Sequence, residues 1–298
     1  MAPTYTSFVV LGSGGSISPY IIDALSKEPD VKKLIVLSRS SSSSKPIPPS
    51  SSKAEFLQVD YDDHASLVNI FRTHGTEVIV STLPNAAVNT QKKVALAAKE
   101  AGTVKLFFPT EYEVVTYGLG GKGEGWLSEK DEIDDFLKSI DLPSARIFNG
   151  ILMRWILWLN GYDANGKINI LKDRGDAPIS LTAEEDIGEF IAYVSTHLPP
   201  SQLANARFRL EGERLTTKEF ASRLGKPIEY VDAIPGDDSE IRNTVAAKCE
   251  LGAGSTGYNH ELKKDNDVTG PEGAGSGNRL WPGHVWRKIE DVLELDKI

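Results

Sequence analysis

The sequence predicts an α/β fold, a doubly wound parallel sheet followed by a smaller lobe. Three observations carry this. Short β-branched runs alternate with helix-patterned stretches through the first half of the chain, the alternation that builds a parallel sheet covered on both faces. The runs FVVL, LIVLS and VIVSTL lack a clean period of two, as strands buried on both sides do. The first run passes straight into a glycine-rich turn, VVLGSGGSIS at residues 9–18, and then into a helix pattern that opens at Pro19.

Taken in order, FVVL (8–11) is the first strand and YIIDALSKE the first helix. LIVLS (34–38) and EFLQV (55–59) are the second and third strands. Between them SSSSSKPIPPSSSK (40–53) is polar and proline-bearing, without the capacity to form a core, and reads as a surface loop. The helix SLVNIFRTH, the strand VIVSTL (78–83), the long helix NAAVNTQKKVALAAKEAG and the strand VKLFFP (104–109) follow. A helix over 128–140 then leads to SARIFN (144–149), a sixth strand. Beyond this the alternation stops. The apolar segment ILMRWILWLNGY (151–162), INIL (168–171), a capping-box helix starting TAEED at Thr182, and FRLEG (208–212) come without regular order. A polar glycine-rich stretch (251–283) precedes a final helix, WRKIEDVLEL. The expected division is a sheet domain over 1–150 and a smaller lobe over 151–298. The helix near 182–197 is expected to pack back on the first domain, and the glycine-rich stretch to lie over one end of the sheet.

Composition bounds the function. The chain has 298 residues, 40% hydrophobic and 25% charged, which is ordinary for a globular protein. A net charge of −9 with no basic patch argues against nucleic acid, whose phosphates need clustered Lys and Arg. One cysteine, Cys249, leaves no internal disulfide and fits a reducing compartment. The start, MAPTYTSFVVLG, lacks the basic region and apolar length of a signal peptide. The segment 151–162 is too short to span a bilayer and carries Arg154. A cytoplasmic location without membrane attachment is the expectation. The histidines at 64, 74, 197, 260 and 284 have no metal-type spacing, so no metal is expected.

The turn reads as a phosphate-binding loop. In such loops one glycine makes the tight turn, a second lets backbone approach the pyrophosphate, and a third permits close helix–strand packing. Gly12 and Gly15 hold the first two positions, with Ser13, Gly14, Ser16 and Ile17 around them. Ser18 stands at the packing position, where a small side chain does least damage. Pro19 suits the first helical turn, whose free N–H groups face the phosphates. The second strand ends LSRS, so Ser38 and Arg39 stand where an acidic residue would bind the ribose of NAD. A planar guanidinium there favours the 2′-phosphate of NADP(H), with Lys45 and Lys53 nearby.

VVLGSGGSIS, LSRS, VDYDDHASL, VIVSTL, VKLFFPTEYE, Lys130 ahead of LKSIDLPSARIFN, and SLTAEEDIGEFIA recur in this order over about residues 6–195. In this the sequence resembles the NmrA-like and isoflavone-reductase-like group of atypical short-chain dehydrogenases/reductases. The resemblance implies a Rossmann-type domain that binds NADPH and a small substrate lobe. By the same resemblance, Ser81, Thr82 and Leu83 match positions under the cofactor's ribose. Asp60 and Tyr61 match the edge of the adenine, and Pro109, Thr110 and Glu111 the segment beside the nicotinamide. Capping of the next helix by Asp60, Asp62 and Asp63 is compatible with that. The family turn ends in Gly where this chain has Ser18. None of the nine tyrosines is followed by Lys in a Tyr-x-x-x-Lys pair, which excludes the usual phenolate–lysine relay and agrees with the atypical branch.

Isoflavone-reductase-like enzymes carry a lysine thirteen residues before a proline, the spacing of Lys130 and Pro143. The residues point there independently. In SEKDEIDDFLKSI the apolar stripe is Ile133, Phe136, Leu137 and Ile140, and Lys130 extends it inward. With Ser128 as cap, Lys130 falls in the first turn, where a cation costs about 0.3–1 kcal/mol against the helix dipole; Glu129, Asp131 and Glu132 offset that. As a general acid or base it would need its pKa lowered from about 10.4. It could equally anchor the nicotinamide ribose, or be a solvated side chain.

Asn149, after the sixth strand, faces the expected cleft and is counted with the cofactor residues. Glu111, Met153, Trp155 and Tyr162 are candidate substrate contacts, the last three in a stretch, with Trp158, that equally suits a core. His260, in YNHELK, is a further candidate. The leading expectation is an NADPH-dependent reductase delivering hydride to a small apolar, aromatic or conjugated substrate, as monomer or homodimer. Two alternatives stay open: an NADP-sensing regulator that reports to a protein partner without turnover, and a cofactor-binding isomerase or dehydratase of secondary metabolism.

Overall fold

A computed structural model describes residues 4–39, 53–119, 126–172 and 174–293. Most of the serine- and proline-rich insertion, with Lys45, lies outside the described residues. The chain forms two compact units, and each is built from several stretches. The first comprises Met1–Glu111, Leu119–Ile147 and Ile187–Phe208, the second Tyr112–Gly118, Phe148–Asp186 and Arg209–Ile298.

The first unit holds a five-stranded sheet of β1 (Ser7–Leu11), β2 (Lys33–Arg39), β3 (Ala54–Val59), β4 (Val78–Ser81) and β5 (Leu106–Phe108). Its order is β3-β2-β1-β4-β5, and every pairing is parallel. All residues of β1, β4 and β5 are buried, which explains the apolar runs 8–11, 78–80 and 106–108 within them. The sixth strand, β6 (Ala145–Phe148), follows β5 through a parallel bridge from Phe107 to Ser144 and a bond from the Phe107 N–H to the Pro143 carbonyl (2.9 Å).

Four helices belong with these strands: α1 (Ser18–Lys27), α2 (His64–Thr73), α3 (Val88–Ala101) and α4 (Trp126–Ser139). Val9, Leu11, Ile35 and Leu37 share one core cluster with Phe71 of α2, Val94 and Ala98 of α3, and Ile133 and Leu137 of α4. Phe8, Val10, Leu34 and Val36 point to the opposite face by strand alternation and are buried too. Helix α2 is capped by Asp63, which accepts from the Ser66 N–H, so the acidic cluster does cap a helix. A further helix, Glu184–His197, lies close to α1: a Cβ at Gly188 would come within 2.5 Å of the Tyr20 carbonyl oxygen.

Three boundaries differ from expectation. Helix α4 begins at Trp126, so Ser128 is not its cap and Lys130 sits beyond the first turn, where the dipole cost has faded. Thr182 ends the strand Ile179–Thr182, and its hydroxyl donates to the Asn149 carbonyl (2.8 Å), so it is not free to cap a helix that starts at Glu184. Among the described residues the final helix covers Ile289–Val292 and does not reach back to Trp286. Arg287 ahead of it is held by its N–H on the Asp186 carboxylate (2.8 Å), and residues 294–298 lie outside the described part.

In the second unit Glu213–Leu215, Ile179–Thr182 and Ile151–Leu152 form a small sheet. Ile168–Leu171 pairs with Ile228–Val231. The apolar segment 151–162 is broken into short pieces, the last ending near Gly161, where φ is +65° and a Cβ would press on Ile234 and Pro235. The glycine-rich stretch is ordered into turns and a hairpin. Arg209 donates to the Thr256 carbonyl, Arg214 to the Ser255 hydroxyl, and the Asn278 amide to the Glu211 carbonyl. No described helix is long and apolar enough to cross a membrane.

Candidate functional site

The strand order reverses between β1 and β4, and in open α/β sheets ligands bind beyond the carboxyl ends of the strands at such a point. The turn after β1 and the segment Ser81–Leu83 after β4 stand there. Gly12 has φ +90°, which a side chain would strain. A Cβ on it would also come 3.1 Å from the Thr82 hydroxyl and 3.3 Å from its carbonyl. Thr82 is fixed in turn by its N–H and hydroxyl, both donating to the Leu11 carbonyl. Ser13 is half-buried; Gly14, Gly15 and Ser16 are exposed; Ile17 packs inward ahead of Pro19 and α1. Backbone thus lies open beside a helix N-terminus, the geometry a pyrophosphate needs.

Ser18 is fully buried at the packing position. Its hydroxyl accepts from the Gly15 N–H and donates to the Gly15 carbonyl, each at 3.1 Å, so the substitution staples the turn instead of opening it.

Leu37 of β2 supplies a second staple. Its carbonyl accepts from the Gly12 N–H (2.8 Å) and from the Tyr61 hydroxyl (2.9 Å). Tyr61 is buried, and burial pushes its phenol pKa up. Its phenol is therefore committed beneath the turn as a brace. Ser38 is buried, whereas Arg39 ends β2 exposed to solvent, free to meet a 2′-phosphate. Asp60 is exposed and accepts from the Asp62 N–H. The turn, the exposed guanidinium and the absence of an acid at the end of β2 fit NADP(H).

At the next strand ends Ser81 and Thr110 are buried with their hydroxyls 2.9 Å apart. The Thr110 N–H donates to the Gln91 side chain (2.9 Å). Leu83 and Pro109 are buried beside them. Lys130 does extend the inward stripe of α4: it is 3% exposed and its ammonium donates to the Glu111 carbonyl at 2.9 Å. The Glu111 carboxylate points away into an ion pair with Arg146. The side chain named as a candidate substrate contact is thus engaged by Arg146, and the backbone carbonyl receives the lysine.

The remaining candidates belong to the second unit. Asn149 is fully buried; its Oδ1 has no hydrogen-bond partner among the described residues, an acceptor that a bound donor would satisfy. Met153 is wholly buried, with its methyl group against Gly212. Trp155 is 44% exposed and meets Trp158 edge-on. Tyr162 is half-buried beneath the Lys226 ammonium. One ring nitrogen of His260 lies 2.6 Å from the Val115 carbonyl, so this histidine anchors the segment Tyr112–Gly118 before it could serve a substrate.

Sequence reasoning missed Arg146 and Gln91. For Arg146 a signal existed: one arginine inside the otherwise apolar strand Ala145–Phe148. A guanidinium at a position with buried neighbours on both sides needs buried carboxylates.

The model of the NmrA-like family matches residues 5–248. Phenylcoumaran benzylic ether reductase 1 of Arabidopsis thaliana is 34% identical over 198 residues, covering 62% of this chain and 63% of that one. Phenylcoumaran benzylic ether reductase PT1 of Pinus taeda is 25% identical over 255 residues, 81% of each chain. Among solved structures, the binary complex of leucoanthocyanidin reductase with NADPH from Vitis vinifera superposes with a TM-score of 0.72 at 19% identity, over 98% of both chains.

Proposed function

Because this chain belongs to the NmrA-like family, we propose that it is an NADPH-dependent reductase that delivers hydride to a small apolar, aromatic or conjugated substrate. The observation that carries this reading is the buried Lys130 ammonium, held on the Glu111 carbonyl in the unit that also bears an open glycine turn and an exposed Arg39. The names of the relatives, reductases of phenylcoumaran benzylic ethers, agree with an aromatic substrate.

The backbone from Gly12 to Ile17 would hold the pyrophosphate, and Ser38 and Arg39 the 2′-phosphate. Asp60 and Tyr61 would border the adenine side. Ser81, Thr82 and Leu83 would lie along the ribose, with Pro109, Thr110 and Glu111 toward the nicotinamide. The bound cofactor supplies hydride. Lys130 handles the accompanying proton at its Nζ, or stabilises a developing phenolate or enolate, and Glu111 keeps that nitrogen in one direction. Trp155 and Tyr162 keep ring surface for an aromatic substrate. A cytoplasmic location and a monomer or homodimer complete the proposal.

Parallel calorimetric titrations with NADPH, NADP⁺, NADH and NAD⁺ test the cofactor, and NADPH oxidation by aromatic electrophiles tests the chemistry. Tight NADPH binding, weak NADH binding and turnover lost in Lys130→Ala are expected. Absence of binding by all four overturns the reductase. Normal turnover in Lys130→Ala removes the lysine from the chemistry.

A further inference from the structure

Arg146 is 1% exposed, in a strand that is otherwise apolar. Its Nε and Nη2 donate to the two carboxylate oxygens of Glu111 at 3.0 and 3.3 Å. Its Nη1 donates to Asp131 at 2.7 Å and reaches Asp134 at 3.5 Å. Asp134 is held in turn by the Ser144 hydroxyl and the Lys138 ammonium, each at 2.7 Å. Burial disfavours the Arg146 charge, but Glu111 and Asp131 outweigh it and hold the guanidinium protonated. Well-packed apolar residues could stabilise such an interior equally well, so stability alone does not account for a buried ionic cluster here.

What the cluster encloses does. The Glu111 residue whose side chain Arg146 grips presents its carbonyl to the Lys130 ammonium at 2.9 Å. The next residue, Tyr112, has φ +51°, the left-handed region that a tyrosine seldom adopts. The orientation of the Glu111 carbonyl is therefore not one the local chain prefers, and surrounding contacts must impose it. On the other side, Asp131 adjoins Lys130 and Asp134 lies one turn further along α4. One guanidinium thus fixes both the acceptor of the lysine and the helical turn that bears it. Lysine could not do the same, because its ammonium lacks the planar fork that grips one carboxylate bidentately while donating to another.

We propose that Arg146 is a positioning residue for Lys130, holding its ammonium on the Glu111 carbonyl in a single direction. The inference deepens the reading of Lys130 as the proton-handling group and rests on it for its functional meaning. Its test is independent of turnover. In protein carrying ¹³C,¹⁵N-labelled lysine, a buried and bound Lys130 gives a slowly exchanging ammonium signal, identified by its loss in Lys130→Met. Arg146→Lys should speed exchange of that signal with water by roughly tenfold or more, while calorimetric NADPH binding and cooperative thermal unfolding persist. Glu111→Gln, which keeps the shape and loosens the clamp, should move the same signal the same way, and it decides the matter if Arg146→Lys does not fold. Unchanged exchange in the deciding variant, or a wild-type protein without the signal, overturns the proposal. The two claims separate cleanly. Normal NADPH oxidation by Lys130→Met removes the chemistry from Lys130 and leaves the exchange result to judge Arg146. Lost oxidation with unchanged exchange removes Arg146 alone.

Discussion

At Ser18 a hydroxyl replaces the glycine of the family turn and bonds both the N–H and the carbonyl of Gly15. The Gly15 N–H is one that a pyrophosphate could use, so the hydroxyl competes mildly with the cofactor while holding the loop in shape. Ser18→Gly should leave the fold intact and NADPH affinity unchanged or slightly tighter by calorimetry; a large loss would overturn this placement of the loop. Arg39 is the opposite case, an exposed side chain with nothing to lose inside the fold. A hydrogen-bonded contact to a charged partner is worth about 1.5–3 kcal/mol, so Arg39→Ala should raise the Kd for NADPH by roughly ten- to a hundredfold and leave NADH nearly alone. Equal losses for both cofactors would sink that assignment. The positions of these residues were legible in the sequence because they are set locally: a turn conformation, a strand end, a place on a helix stripe. The pairing of the Glu111 carboxylate was not legible because its partner, Arg146, is 35 residues away in the chain. Only the placing of β6 beside β5 brings the two together.

Elements obey the same distinction. The runs of β1, β4 and β5 mark strands buried on both faces, the stripe of α4 follows from periodicity, and the parallel sheet from strand–helix alternation. Boundaries set by tertiary partners were not legible. TAEED carries a capping-box pattern, yet Thr182 pairs with Leu152 in a strand and donates its hydroxyl to Asn149, so tertiary bonding outweighs the local cap. The last segment reads as one amphipathic helix, but the Arg287 N–H is bonded to Asp186 and, among the described residues, the helix covers Ile289–Val292. The helix that follows Thr182 yields a sharper expectation. At Gly188 an added Cβ would lie 2.5 Å from the Tyr20 carbonyl oxygen and 3.0 Å from the Ile21 nitrogen. Both are backbone atoms of α1, which cannot swing aside as a side chain can. Gly188→Ala should therefore cost about 1–3 kcal/mol of stability through overpacking, read as a lower urea midpoint with unchanged slope, despite alanine's better helix propensity. A neutral or stabilising result would show that the helix is free to slide off α1.

For the whole molecule, the balance of charge makes acid the informative stress. The net charge of −9 shrinks as carboxylates protonate, which relieves self-repulsion and by itself would stabilise the fold. Against this stand carboxylates that the fold uses in the ionised form. Burial pushes Asp134 up, but the Lys138 and Ser144 bonds and the Arg146 charge prevail and hold its carboxyl below the usual range. Hydrogen bonds and Arg154 do the same for Glu185 against its burial. Glu184 goes the other way, raised chiefly by burial, and so gains stability on protonation. For Asp134 the folded pKa lies below the unfolded one, so the unfolded chain binds the proton first. Its contribution is complete above the usual carboxylate range and disappears as pH falls through the lowered folded value. Asp134→Asn keeps the shape, removes the titration, and leaves Arg146 with Glu111 and Asp131. The stability gap between wild type and Asp134→Asn, from urea unfolding at a series of pH values, should be widest near neutrality and close steadily toward acid. Moderate salt should reduce the gap little, because Asp134 is buried and screening acts mainly on exposed charge. A gap that stays constant with pH would show that Asp134 is lost for its packing and not for its charge. The ionic cluster around Arg146 would then be a steric fixture, indifferent to protonation.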